Sequence, residues 1–155
     1  MAFSFGGEFT VNTTPEETYD FLTDPNRFCR LLPDYEKVDV HDAENFIVDV
    51  KVGISHIRGT AVVKLHLAEH ERPARAFYTG KATMAGGNVD LSANFDLRLA
   101  ENSTVVAWNG EAQVFGRLTS IAGGLLEPLA RKNVQRVIAS LQQALNVEVQ
   151  RASGT

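Results

Sequence analysis

From Tyr35 onward the hydrophobic period of this chain takes two values in turn, and the change between them limits what it can fold into. From Tyr35 to Val114 apolar side chains recur at every second residue; from about Gly116 to Val149 they recur every three to four. Period two sets alternate side chains on one face of a strand, whereas helical spacing gathers them into one stripe. A sheet with one apolar face must bury it, and the only long amphipathic segment follows the last strand. The expected class is therefore α+β: a curved antiparallel sheet of about seven strands, covered by one C-terminal helix of roughly 30 residues.

The clearest alternation sets Val89, Leu91, Ala93, Phe95, Leu97 and Leu99 against Asp90, Ser92, Asn94, Asp96 and Arg98. Tyr78, Gly80, Ala82 and Met84 share another face, and Val106, Trp108, Gly110, Ala112 and Val114 a third. Trp108, Phe95, Leu91 and Leu141 are expected where sheet and helix meet. The helical stripe reads Leu118, Ile121/Ala122, Leu125, Leu129, Val134, Val137/Ile138, Leu141 and Ala144/Leu145. Gly123, Gly124 and Pro128 weaken its front half, so a kink or hinge is expected there.

Before the sheet proper, Phe3, Phe5, Phe9 and Val11 alternate with polar residues, and Gly6-Gly7 suggests a bulge. Thr14-Pro15-Glu16-Glu17 supplies a capping hydroxyl, a first-turn proline and a carboxylate, which start a short helix. Asp24-Pro25 starts a second, closed by Pro33. No linker, repeat or charge block divides the sequence, which reads as one domain over residues 1–150 with a free tail at 151–155.

Composition narrows the function. At 155 residues and 44% apolar, the chain has enough core to spare volume for a cavity. Fifteen basic against nineteen acidic residues leave a net charge of −4, which opposes nucleic-acid binding. A single cysteine, Cys29, makes neither a disulfide nor a thiolate pair and points to the reducing cytoplasm. Met1 to Gly7 lack the basic start of a signal peptide, and no stretch reaches the ~18 apolar residues of a membrane span. Any membrane contact is expected to be peripheral, at the inner face.

The usual catalytic patterns are missing: there is no GxSxG elbow and no phosphate-binding glycine loop. His66 and His70 are four apart, but on a strand that separates them by about 13 Å, too far to share a metal. His41 and His56 fall at a strand end and in a turn, and Asp90, Asp96 and Glu111 on the polar face. No catalytic residue, metal ligand or cofactor is assigned. What remains is shape. Small inward residues (Gly59, Ala61, Gly80, Ala82, Ala93, Gly110, Ala112) hold the helix off the sheet. The cavity so formed is expected to be lined by Phe28, Leu32, Val50, Val63, Tyr78, Met84, Leu91, Trp108, Ile121 and Leu125. The Tyr78 hydroxyl or the Trp108 indole would hold a polar end of its ligand. Gly123, Gly124 and Pro128 form its gate, and Arg131, Lys132 and Arg136 are candidates for contact with anionic headgroups.

Particular words carry a resemblance. Phe5-Gly6-Gly7-Glu8-Phe9, Pro15 through Pro25 with its Phe-Leu-Thr-Asp-Pro run, Leu31-Leu32-Pro33, Val50-Lys51-Val52-Gly53 and Val114-Phe115-Gly116-Arg117-Leu118 resemble the family of the carbon monoxide dehydrogenase G-subunit. That family lies within the START-like (polyketide cyclase/SRPBCC) superfamily, so the resemblance implies a helix-grip fold. It departs at Asp34, where relatives usually carry Gly. It also implies a non-catalytic accessory that binds a hydrophobic, lipid- or quinone-like molecule, or helps bring a molybdenum-containing dehydrogenase to the membrane. Two alternatives stay open: a polyketide cyclase/dehydratase-like enzyme, which would need His, Asp or Glu inside the cavity, and an assembly module with a filled core.

Overall fold

The computed structural model describes residues 1–54, 57–121 and 123–153, the side chains of 121, 123 and 147–153 excepted. Strand β1 (Ala2–Val11) leads into two short helices, α1 (Pro15–Leu22) and α2 (Pro25–Phe28), and a 3₁₀ turn over Cys29–Leu31. Six strands follow: β2 (Tyr35–Val40), β3 (Asn45–Ile54), β4 (Ile57–Glu71), β5 (Arg75–Met84), β6 (Gly87–Ala100) and β7 (Ser103–Phe115). The chain ends in α3 (Leu118–Ile121) and α4 (Gly123–Ser153). All seven strands form one antiparallel sheet in the order β1-β7-β6-β5-β4-β3-β2, so β1 and β2 are its edges and α1 and α2 cross between them.

The helix starts follow from their caps. The Thr14 hydroxyl accepts from the Glu17 amide at 3.1 Å with Pro15 in the first turn, and the Thr13 hydroxyl donates to the Glu17 carboxylate. Asp24 caps α2 through the Asn26 amide at 3.1 Å. Asp34 sits at φ 61°, in the left-handed region that glycine favours and Asp tolerates, and its carbonyl accepts from Lys51 N at 2.9 Å. The departure from the family's usual Gly therefore keeps a backbone conformation that glycine also takes. Gly116 is more demanding: at φ 92°, an added Cβ would stand 2.8 Å from Gly86 O and Gly87 Cα. That close passage lets Leu118 N bond Gly86 O at 2.7 Å and turns the chain off the sheet into α3.

The bulge expected at Gly6-Gly7 does not form. β1 pairs with β7 in unbroken register from Ala2↔Gln113 to Val11↔Thr104. Gly7 is the inward position between Phe5 and Phe9, and a Cβ there would meet the Trp108 indole at 3.6 Å; one on Gly6 would strike Asn109 Oδ1 at 2.6 Å. These glycines make room for large partners across the ladder. The three residues expected to weaken the last helix, Gly123, Gly124 and Pro128, all lie inside α4, and Ala122 before it lies outside the described residues. Arg151 to Ser153, read from sequence as tail, continue the helix.

Besides a smaller cluster of Cys29, Phe46 and Val48, two clusters divide the inner face. One gathers Val11, Tyr19, Phe21, Leu67, Ala76, Phe95 and Val106 against Leu141 and Leu145 of α4, with Trp108 and Tyr78 packed on it. The other gathers Ile57, Ala82, Val89, Val114, Leu118 and Leu126. Phe95, Trp108 and Leu141 meet in the first, and Leu91 packs on the second. Asp90 and Asp96 face outward, in surface ion pairs with Lys81 at 3.7 Å and Arg75 at 3.8 Å.

Candidate ligand cavity

A cavity of about 410 Å³ lies under the front half of α4. Its floor is the inner face at one end of the sheet: Val50 and Val52 of β3, Ala61 and Val63 of β4, Ala82 and Met84 of β5, Val89 and Leu91 of β6, Ala112 and Val114 of β7, with Phe3 of β1 at the margin. Its roof is Leu118, Leu126, Leu129 and Ala130. Small residues lie across from larger ones: Phe3↔Ala112↔Leu91 along one row, and Val50↔Ala61 and Val63↔Ala82 along others. Each alanine lowers the floor where a leucine would fill it, and the cavity volume falls within the range of small-molecule sites.

The charged groups stand at the mouth. One lip is Pro33-Asp34 with Lys51 and Gly53; the other is the flank of α4 carrying Lys132, Asn133 and Arg136. Among the described residues no His and no Glu lines the cavity, and Asp34 is its only carboxylate. On the far side of α4, a groove of about 690 Å³ runs between Met1, Ala2 and Phe3 and the helix residues Gly124, Glu127, Pro128 and Arg131. The front of α4 thus has empty space along both flanks.

Of the residues expected from sequence to line the cavity, Val50, Val63, Met84 and Leu91 do so. Phe28, Leu32, Tyr78 and Trp108 stand elsewhere, because bulky rings fill space at the opposite end. Phe28, Phe46 and Tyr78 pack edge to face with centroids 5.7 to 6.1 Å apart, and Leu32 borders the same cluster. The Tyr78 hydroxyl donates to the Leu22 carbonyl at 2.9 Å, so it is engaged within the protein, and burial raises its pKa. Burial, with Asp24 nearby, pushes the Cys29 thiol up to about 12, which keeps it neutral and unreactive. Leu125 is 55% exposed; Leu126 takes the inward position, one residue out of the expected phase. The side chain of Ile121 lies outside the described residues, as does His56.

The gate and membrane candidates also separate. A Cβ on Gly124 would meet nothing within 4 Å, and Pro128 borders the outer groove. The side chain of Arg131 is engaged, bonded to Glu127 at 3.0 Å with its guanidinium 5.2 Å from the Phe5 ring centroid. Lys132 and Arg136 are exposed at the cavity mouth. Sequence reasoning missed Asn133, whose one signal was a polar residue interrupting the stripe between Leu129 and Val137.

A curved seven-stranded antiparallel sheet gripping a C-terminal helix over an apolar hollow is the START-like architecture. A solved structure of a conserved protein from Geobacillus kaustophilus is similar with a TM-score of 0.81 at 17% identity, over 92% of this chain and 95% of that one. A START superfamily protein from Mycobacterium smegmatis gives 0.71 at 12% identity, over 92% and 96%. The di-domain ARO/CYC BexL from the BE-7585A biosynthetic pathway gives 0.62 at 12%, over 93% of this chain and 50% of that one. No curated protein matches the sequence. The family model of the carbon monoxide dehydrogenase G-subunit, CoxG, matches residues 7–146, and the chain belongs to that family.

Proposed function

We propose that this protein is a non-catalytic carrier or accessory that holds a hydrophobic, lipid- or quinone-like molecule between its sheet and α4. The apolar cavity of about 410 Å³ is the observation that carries the reading. A ligand entering it gains about 25 cal/mol for each Å² of apolar surface removed from water. Catalysis of the cyclase type needs a proton donor or acceptor aimed at the ligand, and below the mouth the described walls are apolar. The filled-core assembly reading fits the end built on Phe95 and Trp108, but not the end floored by Ala61, Ala82 and Ala112.

The family's name brings a dehydrogenase into this reading. The partner we propose is a molybdenum-containing dehydrogenase in the cytoplasm, with the carrier meeting the inner face of the membrane peripherally. No helix among the described residues is long and apolar enough to cross a membrane. Entry would use the front of α4, where Gly123, Gly124 and Pro128 weaken the helix and Leu126 and Leu129 form the lid. Native mass spectrometry of protein purified from its source is the direct test. A co-purified apolar molecule supports the reading; an empty protein that also fails to bind acyl-chain and quinone-like probes in calorimetry overturns it.

A further inference from the structure

The carrier reading leaves the mouth of the cavity unexplained. Two cations of α4, Lys132 and Arg136, border it, and the opposing charge there is one carboxylate, Asp34; Lys51, between inward Val50 and Val52, lies on the outer face of β3. That gives a local excess of positive charge on a chain whose net charge is −4. Among the described residues neither Lys132 nor Arg136 is held in an ion pair, although Arg131 and Arg98 each have an acidic partner. Lys132 and Arg136 are also one helical turn apart, a spacing at which like charges repel.

Asn133 adds an independent observation. It interrupts the apolar stripe of α4, lines the cavity between the two cations in sequence, and is only partly exposed. Its amide offers two donors and an acceptor, yet its side chain makes no hydrogen bond among the described residues. A leucine there would have packed on the sheet. A free amide beside unpaired cations, at the rim of an apolar hollow, is suited to receive a head that carries oxygen and negative charge.

We infer that the ligand is an anionic amphiphile: an apolar tail seated over Ala82, Leu91 and Ala112, and a carboxylate or phosphate head held at the rim by Asn133 with Lys132 and Arg136. The inference rests on the carrier reading and specifies its ligand class. The head stays at the mouth because a buried unpaired charge is costly, whereas at the rim it keeps part of its hydration.

Calorimetry with dodecanoate and dodecanol, which share a tail and differ in the charge of the head, separates the two levels of the argument. Dodecanoate should bind the full chain about tenfold more tightly, a difference of about 1.4 kcal/mol, and raising salt to about 1 M should shrink the preference. The double substitution Lys132→Gln, Arg136→Gln should erase most of it while leaving the dodecanol affinity unchanged; Asn133→Leu should weaken dodecanoate and strengthen dodecanol. Equal affinity for both probes overturns the anionic head and leaves the carrier reading standing, while binding of neither overturns both. Flotation with phosphatidylcholine vesicles, with and without phosphatidylglycerol, distinguishes a free amphiphile from a lipid headgroup in a membrane. If the double substitution abolishes vesicle binding but not the dodecanoate preference, the cations serve a membrane surface and the inference is wrong.

Discussion

The two ends of the inner sheet face are made from the same strands, yet one is solid and the other hollow. At the solid end Phe95 lies across from Trp108 on one side and Ala76 on the other, Tyr19 meets Phe95 edge to face at 6.1 Å, and α1 packs over them with the rear of α4. At the hollow end the same strands contribute Leu91, Ala112 and Ala82, under Leu118 of α3 and the front of α4. Both ends keep the inward alternation of an antiparallel sheet. What differs is side-chain volume and what covers it: aromatic rings under α1 and the rear of α4 at one end, alanines under α3 and the front of α4 at the other. Close packing and open volume are thereby given to different halves of one sheet.

The largest effect that could break this division is truncation at each end. Phe95→Ala should cost about 3–5 kcal/mol in urea unfolding, because a close-packed surround cannot collapse into the void. Met84→Ala, whose side chain already borders empty space, should cost clearly less, and equal losses would mean that the cavity is not empty of packing in solution. Insertion reverses the comparison. Ala76→Leu, at a position 2% exposed, should overpack the solid end by about 1–3 kcal/mol. Ala112→Leu should be nearly neutral in stability while lowering affinity for an apolar ligand, and unaltered binding would move the ligand elsewhere.

Smaller effects sharpen the boundary. Tyr78→Phe removes the donor to the Leu22 carbonyl and should cost about 1 kcal/mol with no change in ligand affinity; a loss of affinity would return Tyr78 to the binding site. Gly124→Ala adds a methyl group where nothing stands within 4 Å. It should stabilise the helix by about 0.4–1 kcal/mol and slow ligand exchange in stopped-flow measurements, whereas unchanged rates would place the entrance away from the front of α4. The last effect vanishes at neutral pH. The Cys29 thiol rises from 9.0 to about 12 on folding, so its contribution is complete below pH 9.0 and is lost as pH climbs toward 12. The raised Tyr78 hydroxyl acts in the same direction above its ordinary 10.0. Unfolding measured across that alkaline range should show a shallower decline in Cys29→Ala than in the parent protein.

Much of the scaffold was legible because its signals are local. Thr14-Pro15 and Asp24-Pro25 mark helix starts by chemistry confined to four residues, and the alternation from Val89 to Leu97 settles facing without reference to any partner. The hollow was legible only in part. Alternation tells which face Tyr78 and Leu91 share, but whether the space above a residue is filled depends on what crosses it from far along the chain. Hence Phe28, Tyr78 and Trp108 read as cavity walls and proved to be filling. Leu125 and Leu126 differ by about 100° of helix rotation, and Gly123-Gly124 just before them carry no side chain that would have fixed the phase. Asn133 was visible as a gap in a stripe, but a gap acquires meaning only once the surface facing it is known.

The pairing of the first strand with the seventh shapes how the molecule comes into being. Ala2–Val11 is complete at the start of the sequence, yet its ladder partner Ser103–Phe115 lies about a hundred positions later. Closing such a distance is entropically slow, which places this topology among folders of milliseconds to seconds rather than microseconds. Until β7 arrives, a strand carrying Phe3, Phe5 and Phe9 has a free edge and nothing to cover its rings, the condition under which nascent chains self-associate. The interruption by Gly6-Gly7, which the folded sheet uses to seat Trp108 and Asn109, also breaks that aromatic run while it waits.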